Sequence, residues 1–70
     1  MILKMNWKSK EILPEYNNAR CLLANFKDGR LLYTDVSYYY SDIGMVSGKT
    51  YTHWMYYNEY INLLESIPKV

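Results

Sequence analysis

Seventy residues carry eight Lys/Arg against seven Asp/Glu, a formal charge of +1; half are hydrophobic, and nine Tyr, two Trp and one Phe supply the aromatics. That balance lacks the basic footprint of a nucleic-acid binder, and no apolar run approaches the roughly 20 residues that cross a bilayer. Cys21 is the only cysteine, which excludes an intrachain disulfide.

A chain of this length reads as a single domain, residues 1–70. Folding buries only about 60% of the surface that its unfolded chain exposes. Dense aromatic packing or self-association must make up the difference, so a homo-oligomer is one expected outcome. Met1-Ile2-Leu3-Lys4-Met5 is too short and too soon charged to be a signal peptide. One unpaired thiol suits a reducing compartment. The expected location is the cytoplasm, in a soluble state.

In chain order, Ile2–Trp7 alternates weakly and suggests a short first strand. Lys8–Glu15 is polar, and Pro14 holds Leu13 extended, which predicts irregular structure. Asn17-Asn18 is a turn signal. Ala19–Phe26 and Arg30–Tyr40 then read as two strands of a hairpin around Lys27-Asp28-Gly29.

Two hairpin registers compete. A two-residue Asp28-Gly29 loop pairs Lys27 with Arg30. It sets Leu22, Ala24 and Phe26 on one face with Leu31, Tyr33 and Asp35. A three-residue loop pairs Phe26 with Arg30. It gathers Leu22, Ala24, Phe26, Leu32, Thr34, Val36 and Tyr38 on one face. A one-residue slip exchanges the faces. The three-residue loop is preferred because it collects the aliphatics on one side. Its opposite face, with Cys21, Leu23, Asn25, Leu31, Tyr33 and Asp35, is only partly polar and needs a cover.

Ser41–Gly44 and Ser47–Lys49 read as turns, with Met45-Val46 a very short strand between them. Thr50–Tyr56 is rich in β-branched and aromatic residues and predicts the last strand. Beyond it the period changes. Asn58 reads as a helix N-cap, Tyr60, Ile61, Leu64 and Ile67 fall at helical spacing, and Pro68 ends the run. So short a helix must dock to persist, and the sheet is the surface available. The expected class is α+β, mainly β: a small antiparallel sheet of three to four strands with one short C-terminal helix.

No constellation for catalysis stands out. His53 is the first suspect, being the only side chain that titrates near neutrality. It lacks a nucleophile at a recognised spacing, and a structural histidine bonded to a carboxylate or carbonyl is the simpler reading. Asp28, Asp35 and Asp42 fall on strands and turns, where their spacing has no ligand meaning. Cys21 sits among strand aliphatics as a small core residue. Gly44–Lys49 lacks the spacing of a phosphate loop. The chain is expected not to be an enzyme and to need no metal and no cofactor.

The tyrosines are the informative feature. Tyr38-Tyr39-Tyr40 is consecutive on a strand, and alternation sends Tyr38 and Tyr40 to one face and Tyr39 to the other. Tyr56-Tyr57 follows at the far end. Some of these rings belong to the core or an edge; the others suit a recognition patch, since Tyr offers large rigid contact area at low entropic cost.

Trp7, Leu13-Pro14, Cys21–Phe26 leading into Lys27-Asp28-Gly29, and Tyr51-Thr52-His53-Trp54-Met55 together resemble a family of small uncharacterised phage and prophage proteins. The likeness covers about residues 7–55. Thr52-His53-Trp54-Met55 is its most specific piece. Two features depart from the pattern. The Trp7 to Leu13-Pro14 spacing is one residue short, and Tyr56–Ile67 replaces a Pro-rich end. The resemblance implies a mobile-element accessory protein acting in a bacterial cytoplasm, with no site residue to inherit.

The expectation is a non-catalytic binding protein that blocks a host protein, a defence component among the candidates. Its anchors would be Tyr39, Tyr40, Tyr56 and Tyr57, with Arg20, Arg30 or Lys49 at the rim. The alternative is a sponge for a nucleotide-like ligand, held in an aromatic pocket, in one version between subunits. Single-stranded nucleic acid, stacked on the tyrosines, ranks third because of the near-neutral charge.

Overall fold

The structure, a computed structural model, describes residues 5–66. Five strands form one antiparallel sheet: β1 (Lys8–Ser9), β2 (Ala19–Lys27), β3 (Arg30–Tyr40), β4 (Gly44–Val46) and β5 (His53–Tyr56). One helix, α1 (Tyr57–Glu65), follows. The strand order is β1-β5-β2-β3-β4. The expected class holds, with one or two more strands than foreseen.

The β2–β3 hairpin combines features of both predicted registers. Asp28 and Gly29 adopt φ of 53° and 77°, and Lys27 pairs with Arg30. This is the two-residue turn whose twist matches the strands, so the preferred three-residue loop is wrong at the tip. The pairing then shifts between Asn25 and Phe26: Phe26 meets Leu31, Asn25 meets Tyr33, and Leu32 is the extra residue. Past this bulge Ala24 faces Thr34 and Leu22 faces Val36. The bulge thus restores beyond it the face grouping that the longer loop predicts.

Both faces of β2 are covered. The inner face carries Ala19, Cys21 and Leu23, packed with Tyr39 and Trp54 as the main core cluster. This is the face expected to need a cover, and two loops provide it. Residues 10–18 cross one end, burying Pro14 and placing the Ile12 carbonyl on the Trp54 indole N–H at 2.8 Å. Residues 47–52 cross the other end on the way from β4 to β5. There the Tyr33 hydroxyl donates to the Thr50 carbonyl, and Tyr51 packs on the cluster. On the outer face Leu22, Ala24 and Met55 are buried. The helix packs on β2 and β5, the strands that carry them.

Several boundaries differ from expectation. Among the described residues strand pairing begins at Lys8, opposite Trp54; Met5–Trp7 is irregular, and residues 2–4 of the expected first strand lie outside the described residues. The last strand starts at His53, although Thr52 N–H still reaches the Ala24 carbonyl at 2.9 Å. The helix cap is Tyr56, with extended φ and ψ and no side-chain bond, so Asn58 lies inside the first turn. The helix starts directly off the strand, which leaves no free residue to cap it. Ile67 and Pro68 lie outside the described residues.

Candidate partner-binding surface

The sheet twists so that one end of β2 gathers aromatics around a cation. Arg20 pairs with Tyr38 across the ladder, so both side chains leave the outer face together. The Arg20 guanidinium lies 4.3 Å from the centre of the Tyr57 ring. Tyr57 in turn meets Tyr60, one helical turn on, at 5.8 Å between centroids. Val46 stands opposite Tyr38 on β4. Tyr38 is 43% exposed and Val46 48%, so these two present apolar surface beside the cation. An exposed cation over a ring contributes about 0.5–1 kcal/mol, enough to bias the Arg20 rotamer but not to bury it.

Around the end of the sheet lies a cavity of about 410 Å³ lined by Tyr16, Asn17, Arg20, Tyr56, Asn58 and Glu59, among others. The Tyr56 ring stacks edge-on to Trp54 at 4.9 Å and tilts against Tyr16 at 5.6 Å. Its hydroxyl accepts the Glu15 N–H at 2.8 Å. The Lys8 ammonium sits 5.4 Å from the Trp54 and Tyr56 ring centres and 3.4 Å from a Glu59 carboxylate oxygen. Both partners of that pair are partly exposed, which limits it to about 0–1 kcal/mol.

The seven expected site residues do not form one patch. Arg20, Tyr56 and Tyr57 come together at this end, and Tyr40 belongs to the same end of β3, paired with Gly44. Tyr39 does not belong on the surface. Its ring is buried to 8% exposure in the inner core, because alternation turns it away from Tyr38 and Tyr40. Arg30 sits at the hairpin tip, about 23 Å along β2 from Arg20 at 3.3 Å per residue. Lys49 lies over the Tyr33 ring, 5.6 Å from its centre, on the inner side.

Tyr60 and Val46 were not singled out from the sequence, and Tyr38 stands among its informative tyrosines but not among the expected anchors. The alternation rule held the signal for Tyr38, since it shares a face with Tyr40 and not with Tyr39. Tyr60 and Val46 carried no such signal; the helix dock and the β3–β4 pairing place them.

His53 is half-buried, edge-on to Phe26 at 5.1 Å, with Nδ1 2.9 Å from the Thr52 hydroxyl. Its partner is therefore a hydroxyl rather than the carboxylate or carbonyl expected. It borders an open cleft of about 450 Å³ with Met5, Trp7 and Phe26. Cys21 is fully buried, its thiol donating weakly to the Ala19 carbonyl, and burial pushes its pKa up to about 11. Burial raises the Tyr51 phenol, with a smaller push from Cys21. Among the described residues no three His, Cys, Asp or Glu side chains cluster as a metal site, and no helix is long and apolar enough to cross a membrane.

No protein-family model, curated protein or solved structure matches the chain.

Proposed function

We propose that this protein acts by binding a partner protein and occluding part of its surface, without catalysing a reaction. The observation that carries this reading is the outer-face patch in which exposed Tyr38 and Val46 adjoin Arg20 and Tyr57. Rigid aromatic rings beside an arginine are the composition of interface hot spots. The sheet and helix hold these rings before any partner arrives, which lowers the ordering cost of association. The partner is a host protein, with defence components the first class to test, in the bacterial cytoplasm that the phage-like residues imply. Tyr40, Tyr56 and Tyr57 remain contact candidates with Arg20; Tyr39 is dropped.

The test compares wild type with a Tyr38→Ala/Tyr57→Ala variant. Both side chains lie outside the buried core, so the melting temperature should move little. Capture of a given host protein should fall at least about tenfold, or about 1.4 kcal/mol. Equal capture by the folded variant sinks the reading.

A second reading is a sponge for a nucleotide-like ligand, and the cavity beside Tyr16, Arg20 and Tyr56 favours it. Its volume falls within the roughly 300–1,000 Å³ of small-molecule sites. Thermal shifts that grow with nucleotide concentration, and vanish in Arg20→Ala, separate it from protein masking.

A further inference from the structure

The inner face of the sheet holds a cavity of about 250 Å³, separate from the outer-face patch. Three segments line it: residues 10–14, residues 39–45 and Tyr51, with Trp54 on the sheet side. Ala19, Cys21 and Ser37 bring only short side chains to this face, and the space above them admits both the Tyr51 ring and the cavity. Long-range bonds frame it. The Lys10 N–H reaches the Thr52 carbonyl at 3.0 Å, and the Trp54 indole N–H reaches the Ile12 carbonyl at 2.8 Å. The Ser41 N–H reaches the Asn17 carboxamide oxygen at 2.9 Å. These bonds tie the loop before β2 to β5, to the segment leading into β5, and to the turn after β3. The cavity is therefore built into the fold rather than left between free loops.

Its chemistry is lopsided. Ile12, Leu13, Pro14, Met45 and Trp54 supply apolar wall. The polar lining is Lys10, Ser41 and the phenols Tyr39 and Tyr51. Ser41 donates its hydroxyl proton to Asn17. Tyr39 is only 8% exposed, and its hydroxyl has no partner among the described residues, yet no buried polar side-chain atom there is orphaned. That hydroxyl must then meet solvent, and the cavity is the space it borders. Tyr51 reaches far enough over β2 for its phenol to feel the Cys21 thiol, and burial holds it in the protonated, donating form. Lys10 is the one charged residue in the lining, and among the described residues its ammonium has no carboxylate partner.

We infer that this cavity binds a small organic monoanion: one carboxylate, held by Lys10 and the Tyr39 and Tyr51 hydroxyls, on a compact apolar body laid against Trp54, Met45 and Leu13. Size, charge and polarity select this class together. The volume equals about eight waters at ~30 Å³ each and lies just under the roughly 300–1,000 Å³ of drug-sized sites. A compact acid fits; a whole nucleotide does not. One cation balances one carboxylate, whereas a phosphate dianion would keep an uncompensated charge against apolar walls. A metal cation would meet an ammonium and no carboxylate. A neutral apolar molecule would leave the donors without partners. The bound acid would touch both loops that cover the inner face and so stabilise the fold. The site does not rest on partner masking through Arg20 and Tyr57.

Benzoate is the probe, and benzamide is its uncharged counterpart. In nuclear magnetic resonance spectra of the full chain, benzoate at about 0.1–10 mM should shift the Trp54 indole N–H signal saturably and raise the melting temperature. The Trp7 indole signal, beside Phe26 on the outer face, should stay in place. Benzamide should bind at least about tenfold more weakly. Lys10→Met keeps an exposed side chain of similar length without its charge, and should erase that difference. Tyr39→Phe and Tyr51→Phe remove hydroxyls that hold nothing among the described residues, so both should fold, and each should weaken benzoate severalfold. A Trp54 signal unmoved up to about 10 mM overturns the proposal. So does equal binding of the two probes, or full benzoate affinity in folded Lys10→Met. Shifts confined to residues around Arg20 also overturn it, since the anion then sits at the outer-face cation only.

Discussion

The Trp54 indole N–H donates to the Ile12 carbonyl at 2.8 Å, linking groups 42 positions apart in the chain. Trp54 is 1% exposed and sits opposite both Leu23 and Lys8. It therefore helps to fasten the irregular residues 10–18 to the sheet, together with the Lys10 N–H on the Thr52 carbonyl at 3.0 Å and the Glu15 N–H on the Tyr56 hydroxyl at 2.8 Å. Trp54→Phe retains a ring but leaves the Ile12 carbonyl without its donor, and should cost about 1–3 kcal/mol. Trp54→Ala also opens a cavity and should cost about 3–5 kcal/mol. Urea denaturation followed by circular dichroism measures both; a loss near zero for Trp54→Phe would show the bond to be idle.

The hairpin tip depends on backbone conformation rather than contact. Gly29 has φ of 77°, and a Cβ there would meet nothing within 4 Å. Gly29→Ala should therefore destabilise by about 1 kcal/mol through backbone strain alone. Asp28→Asn should be neutral or slightly stabilising, because Asn-Gly suits this turn equally well. Thermal melts of the two variants, moving apart in that order, are the check.

Cys21 should make stability fall at alkaline pH. Its pKa is about 11 in the folded protein against 9.0 for the ordinary thiol, so the unfolded chain releases the proton first. Between those values the unfolded state binds fewer protons than the folded one, and stability declines as pH rises. The contribution is fully present below pH 9 and lost through about pH 11. Cys21→Ala should show a shallower decline over that window. At about pH 8 the wild-type thiol should react with an aromatic disulfide only as fast as the protein opens.

His53 should prove structural. Its ring meets the Phe26 ring edge-on at 5.1 Å, and Phe26 meets Trp7 in the same manner at 5.8 Å. A double-mutant cycle of His53→Ala and Phe26→Leu should yield a coupling of about 0.5–1.5 kcal/mol. A coupling near zero would remove this explanation and direct attention to the cleft that His53 borders.

Local chemistry made much of this fold readable. Asp28-Gly29 announced the hairpin, the alternation of Thr52 to Tyr56 announced β5, and the change of period after Tyr56 announced the helix. The hairpin register was not readable. It turns on one extra residue at Leu32, and nothing in Arg30–Thr34 distinguishes a bulge from a longer loop. The candidate site was readable only in part. Arg20, Tyr56 and Tyr57 are close in space because Cys21 pairs with Tyr56, a pairing between strands 35 positions apart. Tyr39 was misplaced by choosing residue type over alternation.

The sequence alone determined which of the longer segments extend, where the hairpin reverses and that aromatics must do much of the packing, but not that Lys8–Ser9 forms a strand. These follow from steric preferences acting over a few residues. Tertiary structure alone decided which face of β2 became the main core, which tyrosines stayed at the surface and where the inner face kept a cavity. Those outcomes depend on where two irregular loops and one short helix come to rest. Long-range burial sets such placements, and the energies involved are shared among residues that no local window contains.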